Sequence, residues 1–83
     1  VYSVSAKSSL ANKDFEFSVS INDVIQNNCV SVRNFGSITL GNMGASCMIT
    51  ISPNDKVKLE VRNTTDDTDL IVQNSNIILF SRL

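Results

Sequence analysis

Residues 52–62, SPNDKVKLEVR, decide the reading of this chain. Pro53 fixes φ, while Asn54 and Asp55 bond readily to the local backbone, so Ser52-Pro53-Asn54-Asp55 reads as a turn. What leaves the turn alternates strictly. Val57, Leu59 and Val61 fall on one side, and Lys56, Lys58, Glu60 and Arg62 on the other, the period-two pattern of a strand with one wet face. Working outward, the same period recurs. Tyr2, Val4 and Ala6 alternate with Ser3, Ser5 and Lys7, and Phe15, Phe17, Val19 and Ile21 alternate with Glu16, Ser18 and Ser20. Asn22-Asp23 and Gln26-Asn27-Asn28 read as turns. Val30 and Val32 flank Ser31 before Asn34-Phe35-Gly36 breaks that run. Ile38 and Leu40 follow, Gly41-Asn42-Met43-Gly44 reads as a loop, and Cys47, Ile49 and Ile51 face away from Met48 and Thr50. Asn63 to Asp69 is polar loop, and a last strand runs from Leu70 to Leu83, interrupted near Asn74-Ser75-Asn76. No stretch carries a helical apolar stripe, and valine, isoleucine, threonine and serine dominate. Six to eight short strands predict an all-β chain: an antiparallel β-sandwich, jelly roll or barrel.

Composition narrows the function. The chain has 83 residues, 42% of them hydrophobic and only 18% charged, against roughly a quarter charged in ordinary soluble domains. One small domain over residues 1–83 buries only about 60% of its unfolded surface. So much apolar sequence in so small a body points to burial against another subunit. A formal net charge of −1 with no basic block argues against nucleic acid and against a polybasic membrane patch. The apolar stretches are too short for membrane insertion. Cys29 and Cys47 have no metal-site spacing and no histidine to join; they read as reduced core residues, or as one bridge if their strands are neighbours.

Chemistry finds little support in the residues. There is no histidine, and the carboxylates lie mostly in or beside turns, so the chain reads as a non-enzyme. No cofactor is expected. Asp66, Asp67 and Asp69 are weak candidates for a Ca²⁺ site, without EF-hand spacing, and a solvated loop explains them as well. In the last stretch, Ile77, Leu79 and Leu83 fall on one face, and Ile78 and Phe80 on the other. A strand apolar on both faces is either a central sandwich strand or a subunit interface, and the shortage of charge favours the interface. Tryptophan is absent, which weakens a monomeric carbohydrate-binding module or adhesin fragment.

The segment SCMITISPNDKVKLEVRNTTDDTDLIVQNSNIILFSRL, residues 46–83, resembles the C-terminal part of the C1q/TNF-like jelly roll. The resemblance is to its microbial versions on spore-surface collagen-like proteins and on phage or viral fibres and spikes. An alternating strand, a turn ending in Asp, a VxLxV strand, a variable polar loop and a terminal apolar strand follow in that order. The upstream YSVSAKSS and FEFSVSINDVIQ look like its paired middle strands. Asn54 stands where the family turn usually has glycine, Asn22-Asp23 replaces its Asn-Gly turn, and its first strands would lie upstream of Val1. The resemblance implies a homotrimeric head at the C-terminal end of a longer fibrous protein, on a virion or a spore or cell surface. Such a head serves trimerisation and attachment to a receptor or glycan. Ile77, Leu79, Phe80 and Leu83 become candidates for the trimer interface or core, Phe15, Phe17, Val57 and Leu59 core, and 41–44 and 63–69 exposed loops. The alternative is a structural or decoration sandwich module in a larger assembly.

Overall fold

The structure is a computed structural model that describes residues 1–10 and 12–79. Among the described residues seven strands in two antiparallel sheets form a β-sandwich: β1 (Tyr2–Ser8), β2 (Lys13–Ile21), β3 (Val24–Ile25), β4 (Ser31–Phe35), β5 (Gly41–Ala45), β6 (Val57–Asn63) and β7 (Leu70–Ile77). One sheet has the order β5-β1-β7; the other is built around β2. There β6 pairs with Phe15 to Ile21, while β4 pairs with Lys13 to Phe17 and β3 with Ser20 and Ile21. A strand has two edges, so β3 and β4 follow one another along one edge of β2 and β6 takes the other. Among the described residues neither sheet closes into a barrel.

The core lies between β1 and β2. The strict alternation of β1 buries Tyr2, Val4 and Ala6, and that of β2 buries Phe15, Phe17 and Val19. Phe35 joins them, meeting Phe15 and Phe17 edge-to-face with ring centroids 6.2 and 5.8 Å away, a favoured aromatic geometry. Both marked turns form. Asn22 and Asp23 take positive φ (51° and 68°) in a two-residue hairpin, which matches the right-handed twist of the strands it joins. Asn54, also at positive φ (71°), closes the turn in which the Asp55 N–H donates to the Ser52 carbonyl at 3.1 Å. Asn22 stitches the two turns together, donating to Asp55 Oδ1 and accepting from the Lys56 N–H, both at 2.9 Å.

Five sequence expectations are corrected. Val30 and Val32 face out, at 38% and 60% exposure, while Phe35, read as a strand breaker, is buried at the end of β4. An aromatic ring gains more from the core than a valine does, and it sets the register. Gly41 to Ala45 is strand rather than loop: it pairs with β1 and places Met43 opposite Val4. The backbone approaches closely here, because a Cβ on Gly41 would lie 2.6 Å from the Arg33 guanidinium and 3.0 Å from the Phe35 ring. Residues 46–50 alternate in burial, Ile51 is exposed like Thr50, and none of 46–51 forms a strand. They cross the end of the sandwich from β5 to the Pro53 turn, and Cys47 is bridged to Cys29 across 5.3 Å between Cα atoms. The cysteines are therefore not reduced. Finally, β7 runs unbroken through Asn74-Ser75-Asn76, taking up one extra residue, Gln73, as its pairing steps from Ser5–Asn74 to Ala6–Val72.

Candidate functional site

Among the described residues no strand closes the side of the sandwich bounded by β6 and β7. These strands edge different sheets and do not pair with each other. Residues paired directly across an antiparallel ladder share a face, so the inner face of β6 carries Val57, Leu59 and Val61, opposite Ile21, Val19 and Phe17. The inner face of β7 carries Leu70, Val72, Ser75 and Ile77, opposite Ser8, Ala6, Val4 and Tyr2. Val57, Leu59 and Leu70 pack on the core. Val61, Val72 and Ile77 face inward yet remain 46%, 44% and 37% exposed.

Segment 46–51 bounds this opening at one end and loop 64–69 at the other. At the first end is a groove of about 610 Å³, floored by Tyr2 and Val19 and walled by Cys47, Ile49, Ile77 and Leu79. Among the described residues no charged side chain lines it. Asn28 Nδ2 donates to the Met48 carbonyl at 2.6 Å; together with the disulfide this fastens the crossing segment. At the far end a hollow of about 440 Å³ lies among Phe15, Val61, Leu70 and the acidic loop.

One of the acidic residues, Asp66, holds that loop. Asp66 Oδ2 meets the Lys13 ammonium at 2.7 Å, and Oδ1 accepts from Asn63 Nδ2 at 3.0 Å and from the Thr68 N–H at 2.8 Å. Lys13 first, and the Thr68 donors after it, hold the Asp66 carboxyl far below the usual carboxylate range. With both its oxygens taken, Asp66 closes the loop. Among the described residues no group of three His, Cys, Asp or Glu side chains converges on a point where a metal could sit, so Asp66, Asp67 and Asp69 are not brought together as a cation site.

Of the apolar residues singled out at the C-terminal end, Ile77 ends β7 and Leu79 follows it; they are 37% and 54% exposed, with Ile78 at 51%. Phe80 and Leu83 lie outside the described residues. The sequence pattern singled out Ile77 and Leu79, which line this groove, left the Cys29–Cys47 bridge open as an alternative, and did not single out Met48 or Val72. The alternation of Cys47, Ile49 and Ile51 was the available signal. No described helix is long and apolar enough to cross a membrane.

No protein-family model matches this chain, and no curated protein or solved structure matches it either. Nothing ties it to the C1q/TNF-like jelly rolls, and the architecture stands as a two-sheet antiparallel sandwich.

Proposed function

We propose that this chain is a non-catalytic assembly module that associates with further copies of itself through the open β6–β7 side. The supporting observation is the exposed apolar surface there: inward-facing Val61, Val72 and Ile77, with Ile78, Leu79 and Met48 at the groove end, all more than a third exposed. Scattered apolar residues on a surface are ordinary. Apolar residues left exposed on the inner faces of two sheets favour an association site. Covering it removes the apolar excess that the low charge content leaves without an interior.

A second reading, the trimeric attachment head of a surface fibre or spike, has one specific observation behind it. Ile77, Ile78 and Leu79 put apolar side chains on both faces of the chain end, as strands packed around a threefold axis require. Light scattering at micromolar concentration tests the proposal. A mass that is a multiple of 9.1 kDa is expected, with three copies supporting the fibre-head form. A folded monomer that persists to the highest soluble concentration overturns self-association.

A further inference from the structure

The free edge of β7 differs from the other edges. Along β6 the outer face carries Lys58, Glu60 and Arg62, with Lys58 paired to Asp23 and Arg62 to Glu16, the charged side chains that discourage edge-to-edge pairing. β5 is uncharged but only five residues long. β7 has eight residues and no charge or proline, and among the described residues no strand covers its second edge. A long edge left without such protection is a pairing template.

The extra residue in β7 adds a symmetry. Inner-face positions are Leu70, Val72, Ser75 and Ile77; outer-face positions are Ile71, Asn74 and Asn76, the partners of Lys7, Ser5 and Ser3. A regular eight-residue strand would place its two ends on opposite faces. The step at Gln73 puts both ends, Leu70 and Ile77, on the inner face, so the facing pattern reads the same in both directions about a point between Gln73 and Asn74. Directly opposed residues of a strand paired with its own image must share a face. A regular strand satisfies this only about one of its residues, whereas here the pairs Leu70/Ile77, Ile71/Asn76 and Val72/Ser75 satisfy it about the midpoint, so the two strands overlap end to end. Such pairing also needs an absence of like charges meeting across the axis, which β7 satisfies.

We propose that two copies of this chain pair β7 to β7, antiparallel, about a two-fold axis between Gln73 and Asn74. This rests on the association reading above and deepens it by naming the partner, the edge and the register. Leu70 then lies opposite Ile77 of the partner subunit, Ile71 opposite Asn76 of the partner subunit, and Val72 opposite Ser75 of the partner subunit. The two three-stranded sheets become one of six strands, β5-β1-β7-β7-β1-β5, and their exposed inner apolar rows become continuous.

The test mixes two single variants, I71C and N76C, both at exposed outer-face positions, with the native disulfide left intact. Mild oxidation is expected to cross-link I71C to N76C and neither variant to itself, because like positions sit five residues apart along the paired strands, about 17 Å. The unmodified chain is expected at twice 9.1 kDa. In a second variant, Q73K/N74K, opposed ammonium groups at the axis are expected to weaken dimerisation at least tenfold with the circular dichroism of the folded monomer unchanged. A monomeric unmodified chain overturns this inference and the association reading together. A trimer, a dimer without the mixed cross-link, or a dimer indifferent to Q73K/N74K overturns the two-fold pairing alone.

Discussion

Reducing the Cys29–Cys47 bridge is the perturbation whose effect is most directly calculable. The bridge spans 18 positions. In the chain-entropy account, a closed loop of that length removes about 11 cal/mol/K from the unfolded ensemble, or about 3 kcal/mol at 25 °C. A domain of this size is stable by roughly 4–12 kcal/mol in total, so the bridge supplies a large share. With an unfolding entropy of about 2.1 cal/mol/K per residue, the loss lowers Tm by roughly 12–24 °C. Reduction is a cleaner perturbation than C29A/C47A, because Cys29 is 3% exposed and truncation would add a packing loss to the cross-link effect. The assay compares thermal unfolding followed by circular dichroism for oxidised and reduced protein at equal concentration. A second readout is local: amide exchange should accelerate first across 46–51, which then keeps the Asn28–Met48 hydrogen bond and the packing of Ile49 on the core. A Tm difference under about 4 °C, with the thiols shown to be free, would refute the reasoning. The unfolded chain would then have to be constrained already by something other than the bridge.

Two further outcomes follow from the core and from the turns. Phe17→Ala removes a side chain that is 1% exposed and meets Phe35 edge-to-face; it should cost about 3–5 kcal/mol in denaturant unfolding, with part of that shared with Phe35→Ala in a double-mutant cycle. Acid should destabilise the fold through Asp66 and Asp55, whose carboxyls are both held below their ordinary value: Asp66 mainly by Lys13, Asp55 by the Ser52 N–H and then Asn22. A depressed folded pKa gives stability that is present above the unfolded value, near 4, and is lost as pH falls through the folded value. Unfolding midpoints measured from pH 6 down to pH 2 should therefore fall below about pH 4, and by less in D55N/D66N.

Parts of this architecture were legible because one residue type at each position allowed one answer. The alternation of β1, β2 and β6 admits no helix, and Asn22, Asp23 and Pro53 mark turns through backbone chemistry that needs no tertiary partner. The remainder depended on contacts distant in sequence. Gly41 to Ala45 has poor strand propensity and becomes a strand because β1 pairs with it, while Val30 and Val32 are displaced outward because Phe35 takes the interior. Residues 47–51 carry strand periodicity without a ladder, since one face of the segment lies on the sandwich end, and the bridge follows from that crossing rather than from any cysteine spacing. The apolar character of Ile77 and Leu79 was plain in sequence. That the opening they border runs between two sheet edges, and that Gln73 shifts the facing of β7, required the pairing register.

The way β1 and β7 meet also determines how the domain bears load. They are antiparallel, with Tyr2 beside Ile77, and Val1 exchanges hydrogen bonds with Ile78 at 3.0 and 2.7 Å. Tension applied at Val1 and Leu79 therefore acts at one end of the β1–β7 ladder and peels it open rung by rung, where a shearing geometry would load all the rungs together. The sheet opposes such a pull with one or two hydrogen bonds at a time. Stretched between neighbours through these two points, the domain would yield at low force, starting where Ile77 and Leu79 wall the apolar groove.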